Sequence, residues 1–215
     1  MEEQNLVYLL DGKIYINLTN NCTNMCLFCI RNLKDDVCGQ NLWLKNDSVS
    51  SKEVLEQLKD FCKKENPAQL VSKDLVFCGY GEPTLKLDVL KEVAKYVKEN
   101  YKNTRIRVNT NGHANFVYKR NILPELKGLV DEISVSLNAE TEELYKAIAQ
   151  PNIKTDTPLQ VVKDFIKSST EEGFETTASI VSGYKDFDID TEKCREIATS
   201  LGAKFRVREW LERGY

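Results

Sequence analysis

Six short strand-like runs alternate with helical apolar stripes along this 215-residue chain, and no other feature of the sequence restricts its fold as tightly. The strands are predicted at Lys13–Leu18, Leu75–Cys78, Arg105–Val108, Glu132–Leu137, Thr176–Val181 and Lys204–Val207. Ser50 and Glu53 have the spacing of a capping box, and Val54, Leu55, Leu58, Phe61 and Cys62 form an apolar stripe behind it. Leu90, Val93, Ala94 and Val97 follow the second strand at helical spacing. Further helices are predicted over 115–127, 141–149, 158–172 and 191–201, the last closed by Gly202. Strands that alternate with helices pair in parallel, because each helix supplies the crossover a parallel pair needs. The class is therefore α/β. An open doubly wound sheet satisfies the same alternation as a barrel.

The loop after the first strand runs Asn20-Asn21-Cys22-Thr23-Asn24-Met25-Cys26-Leu27-Phe28-Cys29. Three thiolates spaced C-x3-C-x2-C can wrap one face of a small metal cluster. A cubane iron–sulfur cluster usually takes four Cys ligands, so a compact set of three leaves one iron open to a non-protein ligand. The competing reading is a structural zinc site, which wants four ligands. The nearest candidates, Cys38 and His113, belong to no paired motif of the usual spacing. Other strands also end in polar motifs: Gly79-Tyr80-Gly81-Glu82-Pro83, then Asn109-Thr110-Asn111-Gly112, then Ser134-Val135-Ser136-Leu137-Asn138. Without further context these are turns.

The cysteine spacing, with an aromatic residue directly before the third Cys, resembles the signature of the radical S-adenosylmethionine (SAM) superfamily, and the later motifs stand in that superfamily's order. More narrowly, Cys29-Ile30-Arg31-Asn32, Phe77 to Leu85 and Phe205-Arg206-Val207-Arg208 resemble the TatD-associated radical SAM proteins. The resemblance implies a partial (β/α)6 TIM-like barrel, a single core domain over 1–215, with active residues at the C-terminal ends of the strands. It implies a [4Fe-4S] cluster on Cys22, Cys26 and Cys29. It also implies SAM contacts from Phe28 (beside the adenine), Gly79, Tyr80, Gly81, Glu82 and Pro83 (near the methionine amino group), Asn109, Asn111, Ser136, Asn138 and Val181. Tyr80 stands where the family's motif has its first Gly. Ser136 and Asn138, two apart on the fourth strand, are expected on one face, and a helix-capping role competes for Asn138. The implied activity is reductive cleavage of SAM to a 5′-deoxyadenosyl radical that abstracts hydrogen from a small or partner-presented substrate. Its electron donor would be a flavodoxin or ferredoxin, and its name links the group to a TatD-family hydrolase. Two other functions remain open: an activating enzyme that installs a radical on a partner protein, and a non-catalytic iron–sulfur module.

Arg206 and Arg208 alternate with Phe205 and Val207, so both guanidinium groups share one face of the last strand. Turned inward, that face is an anion-binding wall for phosphate or carboxylate; turned outward, it is a charged edge strand. Arg31 and Asn32, directly after the cluster motif, are expected to reach SAM or substrate. Cys62, Cys78 and Cys194 read as core residues, Cys38 as a loop thiol, and His113, the only histidine, as a loop residue rather than a base.

A formal charge of −3 gives no global case for nucleic-acid binding. Leu6-Val7-Tyr8-Leu9-Leu10 is too short to span a bilayer, and Glu2-Glu3 before it has the wrong sign for a secretory signal. Seven cysteines, an odd number with three in one motif, fit a reducing compartment better than a disulfide framework. The expectation is a cytoplasmic protein with no membrane partner.

Overall fold

The computed structural model describes residues 4–37, 39–64 and 74–210. Its chain divides into two compact units that exchange segments along the sequence: 1–22, 35–109 and 125–131 form the first, and 23–34, 110–124 and 132–215 the second.

The first unit opens with a hairpin of β1 (Val7–Leu10) and β2 (Lys13–Ile16). The turn between them is Asp11-Gly12, with φ of 48° and 73°. Positive φ at both central residues suits the twist of a two-residue hairpin, and Asp-Gly is a preferred sequence for it. That pair, directly after the apolar run Leu6–Leu10, was the available signal for β1. A short ribbon of β3 (Asp36–Val37) and β4 (Gln40–Asn41) follows. Then come α1 (Ser51–Lys64), β5 (Leu75–Phe77), α2 (Leu87–Asn100) and β6 (Ile106–Thr110). β2, β5 and β6 pair in parallel. Ile14, Ile16, Leu75, Phe77, Ile106 and Val108 are all buried, and α1 packs on β1 and on α2. The capping box forms as expected: the Ser50 N–H donates to Glu53 Oε2 at 2.9 Å, and the Glu53 N–H donates to Ser50 Oγ at 3.3 Å.

The second unit contains α3 (Ala114–Tyr118), β7 (Glu132–Ser136), α4 (Glu142–Ala149), α5 (Pro158–Glu171), β8 (Glu175–Ser182), α6 (Thr191–Ser200) and β9 (Lys204–Glu209). β7, β8 and β9 are parallel neighbours. α5 covers β7 and β8, and α6 covers β8 and β9. Thr176 on β8 bonds Ser169 of α5 at 2.7 Å, which identifies the helix-facing side of that strand. Thr177, Ser179 and Val181 therefore look the other way.

Three expectations are corrected. The helix predicted over 115–127 stops at Tyr118, where Lys119 turns left-handed at φ 53°, and resumes only as a 3-10 turn over Leu123–Leu126. Pro124 cannot donate a helical hydrogen bond, so one continuous helix is excluded. Asn109 and Thr110 lie inside β6 rather than after it. Cys78 lies just past β5 and is half-buried rather than packed in the core, whereas Cys62 and Cys194 are buried as expected.

Candidate active site

In the first unit, β2 and β5 deliver two loops that approach each other closely. The Glu82 N–H donates to Asn21 O at 2.8 Å. A Cβ on Gly81 would lie 2.3 Å from Thr19 O and 2.5 Å from Asn21 O, both backbone atoms, so only glycine fits there. At Gly79 a Cβ would fall 2.0 Å from Asn17 Oδ1. Glu82 is buried and caps the 3-10 turn Pro83–Lys86, accepting from the Thr84 N–H at 3.1 Å and the Thr84 hydroxyl at 2.6 Å. Of the two roles open to it, Glu82 performs loop anchoring. Tyr80 is buried, with its ring edge-on to Trp43. Asn109, the penultimate residue of β6, keeps a buried Oδ1 with no hydrogen-bond partner among the described residues. Cys22 is half-buried at the end of the unit's first segment.

The second unit takes up the chain at Thr23 and holds the rest of the cysteine loop from behind. Backbone bonds run from the Met25 N–H to Ala149 O, from the Leu27 N–H to Ile148 O and from the Asn152 N–H to Thr23 O, so the loop is fixed to the end of α4. A buried polar chain reinforces it. Asn111 Nδ2 donates to Thr23 Oγ1 at 2.7 Å, and that oxygen lies 2.9 Å from His113 Nδ1. His113 Nε2 lies 3.0 Å from the Tyr145 hydroxyl, to which Asn24 Nδ2 donates at 3.3 Å. The Thr23 and Tyr145 hydroxyls, each able to donate or accept, thus hold one ring nitrogen of His113 each. Burial lowers the His113 pKa to about 4, so the ring is neutral near pH 7. Neither His113 nor Tyr145 was legible as a site residue: they stand 32 positions apart and share no motif.

Arg31 and Asn32 turn back onto the loop itself. Asn32 Nδ2 donates to Cys26 O at 3.1 Å, and Arg31 Nη2 lies 3.5 Å from Asn24 O. Phe28 is half-buried and meets the ring of Tyr184 edge-on at 6.3 Å.

Ser136 ends β7, so Asn138 lies beyond the strand, and the expectation that the two share a strand face does not hold. Asn138 has a left-handed φ of 64°, and its N–H and that of Leu137 both donate to Ser179 O. Thr141, not Asn138, caps α4, accepting from the Leu144 N–H at 3.2 Å. The Asn138 side chain is 1% exposed, and neither amide atom has a partner among the described residues. Val181 is buried on the side of β8 away from the helices, beside Arg208 in the parallel register, as Ser179 stands beside Arg206. Arg206 is exposed, with Nη2 3.5 Å from Ser134 Oγ.

Three closely spaced cysteines are the donor chemistry of a [4Fe-4S] cluster that leaves one iron open. Cys22, Cys26 and Cys29 are half-buried and form no disulfide. Among the described residues no three His, Cys, Asp or Glu side chains gather as a ready-made metal site. Cys38 lies outside the described residues. Asn138 has a buried donor and acceptor and Asn109 a buried acceptor, none of them with a partner among the described residues, and such groups in native proteins call for a ligand or water. No helix among the described residues is long and apolar enough to cross a membrane.

Comparison with known proteins agrees with this chemistry. The family profile described as the radical SAM superfamily matches residues 16–198. The dual-specificity RNA methyltransferase RlmN of Dinoroseobacter shibae is 23% identical over 220 residues, covering 93% of this chain and 52% of the relative, so the chain spans about half that enzyme's length. Among solved structures, Streptococcus suis SuiB bound to the precursor peptide SuiA superposes with a TM-score of 0.62 at 15% identity, over 92% of this chain and 39% of that one. SuiB bound to S-adenosylmethionine gives 0.60 at 15% identity, over 92% and 38%. Methylornithine synthase (PylB) gives 0.57 at 17% identity, over 92% and 52%. These structural likenesses establish the α/β fold with its parallel strands, and a partial TIM-like barrel is consistent with them. The chain belongs to the radical SAM superfamily.

Proposed function

We propose that this chain is a radical SAM enzyme of the TatD-associated group, folded as one core domain and acting in the cytoplasm. Cys22, Cys26 and Cys29 hold a [4Fe-4S] cluster whose open iron takes SAM, with the electron coming from a flavodoxin or ferredoxin. When bound, the reduced cluster supplies the electron that splits SAM into methionine and a 5′-deoxyadenosyl radical, which takes a hydrogen atom from the substrate. The observation that carries this reading is the C-x3-C-x2-C motif, whose later part is fixed to the end of α4 by backbone bonds, together with an Asn138 side chain that has no partner among the described residues.

The protein's own work is positioning and exclusion of water. Gly79, Tyr80, Gly81, Glu82 and Pro83 form the loop that borders the methionine end of SAM; Gly81 brings its backbone close, and Glu82 stiffens it. Asn138 offers a donor and an acceptor, Asn109 an acceptor. Asn111 ties the site to Thr23, Ser136 faces SAM, and Phe28 and Val181 flank its adenine. Arg206 and Arg208 contact substrate, with Arg31 and Asn32 bordering it while they brace the cysteine loop. The matched relatives are named for RNA methylation and for a bound peptide, two different substrate classes, so no substrate is transferred here. Association with a TatD-family hydrolase follows from the group alone.

Anaerobic reconstitution followed by a dithionite assay tests the reading. Release of 5′-deoxyadenosine from SAM is expected. A protein that assembles a cluster yet never cleaves SAM would be an iron–sulfur module instead.

A further inference from the structure

The last strand of the second unit carries two hydrogen-bond donors that nothing described so far satisfies. Arg206, Arg208 and Trp210 occupy every second position of β9 and its continuation, where the Trp210 N–H still donates to Ser182 O at 2.8 Å. Residues at that spacing share a face. Two independent contacts identify which face it is. The Arg195 guanidinium of α6 lies over the Phe205 ring, 5.0 Å from its centroid, so Phe205 and Val207 look toward the helices. Arg206 instead reaches Ser134, on the side where Ser179 and Val181 also stand. The row is therefore on the face of β7, β8 and β9 opposite α5 and α6.

Among the described residues, Arg208 Nε and Trp210 Nε1 are buried and have no acceptor. Native proteins leave few such donors unpaired. Both groups donate and neither accepts, and the guanidinium is always charged, so the missing partner is an acceptor and preferably an anion. An aromatic wall stands beside them: Trp210 meets Tyr184 edge-on at 5.1 Å, and Tyr184 in turn meets Phe28, the residue before Cys29. The Lys185 ammonium lies 5.2 Å from the Tyr184 ring centroid and adds positive charge.

We propose that Arg208 and Trp210 form a subsite for an oxyanion of the substrate, a carboxylate or a phosphate, held beside the ring of Tyr184. Assigning that anion to the substrate rests on the radical SAM reading. Arg208 is the register neighbour of Val181, so the subsite adjoins the residue proposed to flank SAM, and a substrate anchored there would meet the radical.

The indole N–H of Trp210 reports directly on the claim. The chain has two tryptophans, so the reconstituted protein labelled with 15N-tryptophan gives two indole resonances, and Trp43→Phe assigns them. With SAM present, inorganic phosphate, acetate and chloride are titrated separately at constant ionic strength. The Trp210 resonance is expected to move saturably with phosphate or with acetate, and not with chloride. Response to phosphate alone identifies a phosphoryl group, and response to acetate alone a carboxylate. Arg208→Gln is expected to weaken the response about tenfold or more, since it removes a charge-assisted donor. The unsubstituted protein decides the matter if that variant does not fold. An unmoved Trp210 resonance, an equal response to chloride, or a response seen only without SAM would overturn the proposal. Failure of SAM cleavage would sink the radical SAM reading while leaving this titration readable.

Discussion

His113 Nε2 stands 3.0 Å from the Tyr145 hydroxyl, and through that contact a buried imidazole links the last helix turn before the cysteine loop's anchor to the loop itself. Tyr145→Phe removes the hydroxyl while keeping the ring, so His113 Nε2 loses its partner and Asn24 an acceptor. Leaving a buried polar group unsatisfied costs about 1–3 kcal/mol. Chemical denaturation of the variant is expected to show a loss in that range, with a lower iron content after reconstitution. Unchanged stability and iron would mean that the network does not hold the loop.

The same histidine sets a pH dependence. Burial lowers its folded pKa to about 4 from an ordinary value of 6.5. Below 6.5 the unfolded chain binds a proton that the folded one refuses, so this contribution is complete above 6.5 and is lost as pH falls toward 4. The full shift corresponds to about 3 kcal/mol. Denaturation curves between those limits should flatten for His113→Gln by close to one proton relative to the parent. Identical slopes would contradict the neutral, buried ring.

Gly81 is tested by adding one carbon. In Gly81→Ala the new Cβ meets two backbone carbonyls at 2.3 and 2.5 Å, and neither can rotate away. Overpacking of this kind costs about 1–3 kcal/mol or more. SAM binding, followed by equilibrium dialysis, is expected to weaken along with stability. An alanine variant that binds SAM normally would show that the loop tolerates separation from Thr19 and Asn21.

Asn138 should behave in the opposite way. Its left-handed backbone suits glycine, and its two buried amide atoms have no partner among the described residues. Asn138→Gly relieves both costs but adds unfolded-state entropy, so the cluster-free protein should stay within about 1 kcal/mol of the parent. SAM affinity, in contrast, is expected to fall. Retained affinity would remove Asn138 from the SAM site.

Most of what the sequence made legible was local. The Ser50–Glu53 box and the apolar stripes of α1 and α2 are patterns within a few residues, and they appear as read. β1 was missed although Asp11-Gly12 announces its hairpin, and Pro124 marked the break in the helix predicted over 115–127. The Asn111–Thr23–His113–Tyr145 chain could not be read at all, because it exists only when Asn111 and His113, the Thr23 end of the cysteine loop and α4 are brought together within the second unit. Asn138 was singled out as a SAM contact, yet its departure from strand geometry shows only in its φ. The face that Arg206 takes needed its contact with Ser134, since alternation fixes that two residues share a face and not which face it is.

The central claim is that three cysteines hold a cluster with one iron open to SAM. Electron paramagnetic resonance of the dithionite-reduced protein, recorded with and without SAM, tests it most directly. The account predicts a cluster signal whose shape changes when SAM is added. Cys22→Ala, Cys26→Ala and Cys29→Ala should each lose it, while Cys62→Ala and Cys194→Ala retain iron wherever they fold. A signal indifferent to SAM, or iron lost on changing Cys38, would contradict the open iron and leave a four-cysteine site.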